Sequence, residues 1–175
     1  MSRTTPLPGA SLPPVTLTLL GGGAWSPGGE GSGERFTLLD FYRGVHCPRC
    51  RLHLGDLASK RARFEDRGVR VVAASMDTEK KAREAKSAWL LGDLDVAYGL
   101  SEADARALGL NLSDAIARKE PHRFSEPATM IVRPDGTLYS VITWTNPLAR
   151  VHAADLLEGL DVVIANDYPA RGTVA

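Results

Sequence analysis

FYRGVHCPRCRLH, residues 41–53, contains Cys47 and Cys50, the only two cysteines among 175 residues. A nearly continuous apolar run, residues 36–42 (FTLLDFY), leads into it. Such a run reads as a strand buried on both faces. From residue 48 to 67 the pattern becomes helical, with Cys50, Leu54, Leu57 and Phe64 near one face and Arg51, Lys60, Arg61 and Arg67 around it. The pair therefore stands where a buried strand turns into a helix. Free N–H groups and the helix dipole stabilise an anion at such a place. A thiolate is an anion, and its pKa there can fall well below the ~8.5 of a free cysteine. Pro48 suits the first turn, where its missing N–H would have had no partner. Cys50 lies on the same helix face as Cys47 and can close a disulfide with it. Arg49 and Arg51 add positive charge, and His46 adds a donor. The arrangement favours Cys47 as the attacking thiol and Cys50 as the resolving thiol.

Outward from this turn, strands and helices alternate. Residues 15–20 (VTLTLL) form a β-rich strand, and 21–33 (GGGAWSPGGEGSG) a loop in which Trp25 is a lid or an exposed aromatic. The glycine run lacks the Lys-Ser/Thr of a phosphate loop, and a strand rather than a helix follows it. Gly68 ends the cysteine-bearing helix. Residues 69–76 (VRVVAASM) are a strand. Asp77 or Thr78 caps a helix reaching about residue 90. Residues 94–100 form a short strand and turn. The capping box at 101–104 (SEAD) opens a helix closed by Gly109. Residues 111–124 are charged and aperiodic, with a short helix predicted at 113–118. Residues 128–132 and 137–144 make a hairpin around Pro134-Asp135-Gly136. Residues 151–165 are a final amphipathic helix. This order predicts an α/β fold with a mixed sheet covered on both faces. It fits one domain over residues 15–172, after an irregular lead-in at 1–14.

Composition sets further bounds. Lys plus Arg and Asp plus Glu both number 21, so no field of one sign is available to hold nucleic acid or an anionic membrane. The neutral balance points to limited solubility near pH 7, or to a homodimer that hides surface. No apolar run approaches the ~20 residues of a membrane helix, and prolines at 6, 8, 13 and 14 break the start of the chain. The expected location is the cytoplasm. There a close cysteine pair is more readily catalytic, redox-active or metal-binding than a static staple.

The segment DFYRGVHCPRC resembles the thioredoxin active-site segment. More closely, FYRG-x-x-CPxC resembles the peroxiredoxin-like branch of the alkyl hydroperoxide reductase/thiol-specific antioxidant family. The likeness continues through VRVVAASMD, EPATMIVRPDG and YPARG, and covers roughly residues 15–172. It implies a thioredoxin-like fold: a central mixed β-sheet, helices on both faces and an N-terminal strand extension. By the same resemblance Asp40 matches the buried acid that takes a proton when Cys50 must become a thiolate, although it stands one residue further from Cys47 than usual. Pro127 matches the cis-proline that faces the redox pair and holds an extended substrate backbone. Before a proline the trans preference is only ~0.5–1 kcal/mol.

The departures carry information too. Peroxiredoxins have P-x-x-x-T-x-x-C and an arginine across from it. With FY aligned on FY, Cys50 falls on the peroxidatic cysteine, Cys47 on the threonine, Arg43 on the motif proline and Pro127 where the arginine is expected. That weighs against efficient peroxidase chemistry and favours dithiol–disulfide exchange, with Arg43, Arg123 and Arg150 as arginines that could substitute. The candidate catalytic residues are thus Cys47, Cys50 and Asp40. The candidate substrate-binding residues are Pro127, Arg43, His46 and Arg49.

Three functions stay open. The first is a thiol-disulfide oxidoreductase using the Cys47-Pro-Arg-Cys50 pair. The second is a thiol-dependent hydroperoxide reductase of antioxidant type. The third is a non-enzymatic redox-sensing or zinc-binding module built on His46, Cys47, Cys50 and His53. A structural zinc site wants four convergent ligands, and these two histidines flank the cysteine turn on opposite sides. Attachment of c-type haem is excluded because Arg51 follows the second cysteine. The two enzymatic readings need no bound cofactor. They need an external thiol reductant, of thioredoxin or glutathione type, and a disulfide or hydroperoxide substrate.

Overall fold

A computed structural model describes residues 5–29 and 31–174; the first four residues of the lead-in lie outside the described residues. The elements in chain order are β1 (Leu17–Leu19), β2 (Ala24–Trp25), β3 (Phe36–Phe41), α1 (Pro48–Ser59), α2 (Arg61–Glu65), β4 (Val69–Ala74), α3 (Glu79–Ala88), β5 (Asp95–Tyr98), α4 (Glu102–Ala107), β6 (Leu112–Asp114), β7 (Arg123–Ser125), β8 (Ala128–Val132), β9 (Leu138–Thr143) and α5 (Ala153–Asn166). Seven strands form one mixed sheet in the order β2-β1-β5-β4-β3-β8-β9. The apolar run before the cysteines becomes β3, every residue of it buried. Its two-faced apolarity is satisfied only inside a sheet. It pairs parallel with β4 from Phe36↔Val69 to Phe41↔Ala74, and antiparallel with β8 from Thr37↔Val132 to Phe41↔Ala128. The sheet is that of a thioredoxin-like fold.

Alternation along β3 separates two cores. On one face Phe36, Leu38 and Tyr42 pack with Cys50, Leu54 and Leu57 of α1, Phe64 of α2, Ala82 of α3, and Leu157 and Leu160 of α5. On the other, Leu39 and Phe41 pack with Ala105 and Leu108 beside α4, and with Leu12 and Val15. The proline-rich lead-in is therefore a strap. Its Gly9 and Leu12 N–H groups donate to the carbonyls of Leu138 and Gly136, and it crosses the second face to reach β1, next to the opposite sheet edge.

The structure departs from the sequence-based expectations in three places. The helix predicted at 48–67 breaks at Lys60 (φ −110°, ψ 6°) into α1 and α2; the break lets Phe64 reach the core, where it is fully buried. The glycine-rich loop contains β2, paired with β1. Trp25 is neither lid nor exposed: it is fully buried, and its indole N–H donates to Thr37 Oγ1 at 3.2 Å. The helix predicted at 113–118 is instead the start of a hairpin, β6 antiparallel to β7. Pairing Ser113 with Phe124 buries that aromatic, and Glu120 Oε2 accepts the N–H groups of Ile116 and Ala117 at 2.8 and 3.1 Å. Burial of one aromatic and a side-chain clamp on the turn outweigh weak local helix propensity. No described helix is long and apolar enough to cross a membrane.

Candidate active site

The turn between β3 and α1 is built around Gly44 and Asp77. Gly44 has φ +132°, and a Cβ there would lie 2.8 Å from Asp77 Oδ1. Only glycine fits both the backbone conformation and the space. Asp77 Oδ2 accepts the Val45 N–H at 2.7 Å, and the Gly44 carbonyl accepts the Cys47 N–H at 3.0 Å. Thr78, not Asp77, caps α3. Asp77 is nearly fully buried, and that burial raises its carboxyl pKa against the pull of the Val45 N–H.

Cys47 is the N-cap of α1, with Pro48 in the first turn. Its Sγ accepts the Cys50 N–H at 3.2 Å. Both cysteines are free thiols, with exposures of 2% and 0%. Their acidities diverge. The Cys47 thiol is pulled down to about 6, foremost by a hydrogen bond from the Cys50 side chain. Burial opposes this, while the Cys50 N–H and the charges of Arg150 and Arg43 assist. Cys50 moves well above its ordinary value, first because it is buried and then because it keeps the proton it shares towards Cys47. The sulfur at the helix mouth is the thiolate and the deeper one the thiol. Arg150, from the segment joining β9 to α5, donates from Nη2 to Cys50 Sγ at 3.4 Å. Its other terminal nitrogen binds the carbonyl of Pro147 at 2.9 Å, and its guanidinium lies 6.0 Å from the Trp144 ring centre.

Asp40 is buried on the α1 side of the sheet. Its Oδ2 accepts from Thr129 Oγ1 and meets His53 Nε2, both at 2.8 Å. Thr129 is its register partner on β8, and His53 is one helical turn beyond Cys50. Burial pushes His53 down, but the charge and hydrogen bond of Asp40 outweigh it and leave the imidazole raised. The pair forms a hydrogen-bonded underlayer beneath α1.

The remaining predicted residues scatter. Arg43 turns to the β6–β7 hairpin, 3.2 Å from Glu120 and 3.3 Å from Glu126, with its guanidinium 4.6 Å from the Phe124 ring centre. Only its backbone N–H reaches towards Cys50. His46 stands edge-on to Phe124 at 5.0 Å. Burial first, then Arg43, lowers its pKa to about 4, so it is neutral at neutral pH. Neither of its ring nitrogens has a hydrogen-bond partner among the described residues. His46 and His53 thus face Phe124 and Asp40, away from a shared point with the sulfurs. Among the described residues no group of three or more His, Cys, Asp or Glu could hold a metal ion. Arg49 is exposed and donates to the Leu148 carbonyl at 3.0 Å. Arg123 pairs with Glu102 and Asp114.

The expected cis bond before Pro127 is not found; every described peptide bond is trans. The reason lies in the sheet. The Pro127 carbonyl accepts the Trp144 N–H at 3.0 Å, extending the β8–β9 ladder by one bond, and the Glu126 N–H donates to the Asn111 carbonyl at 2.7 Å. The chain runs straight into β8 as ordinary extended backbone.

Thr129 carried no signal in the sequence reading, Asp77 entered it only as a possible helix cap, and His53 only as a possible zinc ligand. The available hint was positional: His53 follows Cys50 at helical spacing, on the face that meets Asp40.

A model of the AhpC/TSA family matches residues 9–141, a span that stops short of Arg150. Among solved structures, the chain is similar to reduced Prx3 in complex with hydrogen peroxide from Vibrio vulnificus (TM-score 0.74, 18% identity, 87% of this chain and 97% of that one). It is similar to AhpC of Mycobacterium bovis (0.74, 16%, 100% of each) and to reduced 2-Cys peroxiredoxin of Plasmodium vivax (0.74, 14%, 92% and 83%). Identities this low establish a shared fold. No curated protein matches the chain in sequence.

Proposed function

Since the chain belongs to the AhpC/TSA family of thiol-dependent oxidoreductases, we propose that it reduces small hydroperoxides with Cys47 as the attacking thiolate and Cys50 as the resolving thiol. One observation carries this reading. Cys47 caps α1 as an acidified sulfur, while Cys50 holds a proton beside Arg150. Arg150 supplies from a different segment the cation that the family's own position, Pro127 here, lacks. Exposures of 2% and 0% favour a small molecule over a protein disulfide, which needs an open in-line approach.

The Cys47 thiolate attacks the distal peroxide oxygen. The O–O bond breaks, its electron pair leaves on the alkoxide, and protonation gives the alcohol, or water from hydrogen peroxide. Cys47 becomes a sulfenic acid. Cys50 then attacks the Cys47 sulfur; the S–O bond breaks, and the departing hydroxide combines with the Cys50 proton as water. Keeping that proton until this moment is what the raised pKa of Cys50 provides. The Arg150 guanidinium, whose charge acts on both sulfurs, meets the negative charge that leaves on the alkoxide and then the charge that Cys50 develops as it attacks. An external thiol of thioredoxin or glutathione type returns two electrons and two protons to the disulfide, in a reducing compartment such as the cytoplasm. Asp40 and His53 act through position, holding α1 on the sheet.

A second reading is exchange with a small disulfide by the same pair, favoured by the Cys-Pro-Arg-Cys segment and by Cys47 standing where a peroxiredoxin has threonine. Stopped-flow mixing of reduced protein with hydrogen peroxide, followed by Trp fluorescence, separates the two. The peroxidase reading expects a rate constant orders of magnitude above that of a free thiol, and an intact mass lower by two hydrogens. A rate no faster than a free thiol leaves exchange as the activity.

A further inference from the structure

A cavity of about 280 Å³ opens between α1 and the segment leading into α5, and Arg150, which donates to Cys50 Sγ, is part of its wall. Arg49, Leu52, His53, Arg150 and His152 line it, with one carboxylate, Asp56. That carboxylate is already committed: it accepts the Ala153 N–H at 2.8 Å and pairs with Lys60. Arg49 and Arg150 have no carboxylate partner among the described residues. The first turn of the 14-residue helix α5 begins at this wall, and its dipole adds positive potential. Leu52 and Leu148, 63% and 67% exposed, stand by the same arginines as an apolar rim. The larger cavities are elsewhere: one of about 560 Å³ is walled by Glu34, Glu65, Asp66 and Asp161 among others, and lacks Arg150, the residue that meets Cys50.

We propose that this cavity binds the carboxylate of a molecule that exchanges electrons with the Cys47–Cys50 pair, so that its reacting group is presented past Arg150 to the sulfurs. The inference rests on the dithiol reading above and names the substrate class. Two guanidiniums flank the opening, and planar guanidinium suits a carboxylate. At about 280 Å³ the space fits a carboxylate-bearing end, not a macromolecule. The apolar rim fits a short hydrocarbon segment joining the carboxylate to the reacting group. Such a carboxylate can arrive with the oxidant, as in a fatty-acid hydroperoxide, or with the reductant, as in a peptide thiol.

The first test is binding without chemistry. Octanoate and S-methylglutathione, neither of which reacts with a thiol, are titrated into the reduced full-length protein at low salt beside octanamide and S-methylglutathione diethyl ester. At least one acid should bind about tenfold more tightly than its neutral counterpart, the scale of one charge-assisted hydrogen bond, and added salt should shrink the difference. In Arg49→Gln the preference should fall towards one, and Arg49→Lys should restore part of it. Two acids that bind no more tightly than their neutral forms overturn the proposal, whatever the protein turns over. Turnover then locates the source. Linoleic acid hydroperoxide is compared with its methyl ester, and glutathione with its diethyl ester as reductant. A preference for the acid in one pair assigns the carboxylate to that side of the cycle, and equal turnover in both pairs overturns the proposal. Should no peroxide and no disulfide react, the dithiol reading fails, while the titration still decides whether the cavity selects carboxylates.

Discussion

Replacing Cys50 should raise the pKa of Cys47, and the substituent should decide by how much. The hydrogen bond from the Cys50 thiol is the foremost influence lowering Cys47 to about 6. A hydrogen bond to a charged group is worth about 1.5–3 kcal/mol, and one pKa unit is about 1.36 kcal/mol. Cys50→Ala should therefore move Cys47 to roughly 7–8. Cys50→Ser keeps an O–H donor and should move it less. The assay is the pH dependence of iodoacetamide alkylation, checked by thiolate ultraviolet absorbance. Acidity will not by itself make Cys47 fast. A pKa of about 6 leaves it ~90% thiolate at pH 7, against ~3% for a free cysteine, a gain of roughly 30-fold. Nucleophilicity falls with pKa at a Brønsted slope of ~0.4–0.5, which removes roughly 10- to 18-fold over 2.5 units. The net is about two- to threefold, before burial slows iodoacetamide further. Wild-type alkylation at pH 7 should be unremarkable, with its inflection near pH 6. A peroxide rate orders of magnitude higher must then come from stabilisation of the departing charge. A wild-type inflection near 8.5, or one that Cys50→Ala leaves unchanged, would refute the hydrogen-bond account.

Arg150→Gln should slow oxidation by peroxide roughly a hundredfold, the low end of what an oxyanion donor is worth, and an unchanged stopped-flow rate would remove Arg150 from the mechanism. His53→Ala strands the Asp40 carboxylate with Thr129 alone and should cost about 3–5 kcal/mol in urea unfolding, whereas replacing Asp40 and His53 together by Leu should cost far less. Stability should also depend on pH from both sides. His53 is raised in the native state, so its contribution is full below ~6.5 and lost as pH rises through the raised value. His46 is lowered to about 4, so the unfolded chain takes up a proton that the native one refuses, and stability falls as pH drops from ~6.5 towards 4. His46→Gln should flatten that acid limb in pH-dependent urea melts. Gly44→Ala should cost about 1–3 kcal/mol through its positive φ and should separately displace Asp77, seen as lowered thermal stability with slower oxidation.

The strand-to-helix turn at the cysteines was legible in sequence because three local signals agree there: an apolar run, a proline in a first turn, and a helical face containing Cys50, Leu54 and Leu57. The roles proposed for the two sulfurs rest on the same signals. What sequence reading missed depends on distance along the chain. Arg150 meets Cys50 across 100 residues, and no periodicity marks it among the arginines; it could be named only as one of three. Thr129 reaches Asp40 across 89 residues through strand register. His53 looked like a stray ligand because its partner lies on a strand rather than on its own helix. Residues 113–118 failed as a helix because one aromatic, Phe124, is worth more buried than the local pattern is worth coiled. Pro127 was read by analogy, and the ladder bond from Trp144 to its carbonyl was invisible to analogy.

The 100-residue span between Cys50 and Arg150 has a consequence for biosynthesis. Chains emerge and fold from the N-terminus, so both cysteines leave the ribosome well before the segment that carries the arginine. A half-made chain holds its thiols without the cation that equips them for peroxide. On the proposed mechanism the fold times its own reactivity: peroxide chemistry becomes available only when the segment leading into α5 docks beside α1. A chain ending before Arg150 should oxidise at the pace of an ordinary thiol, even with its cysteine turn intact.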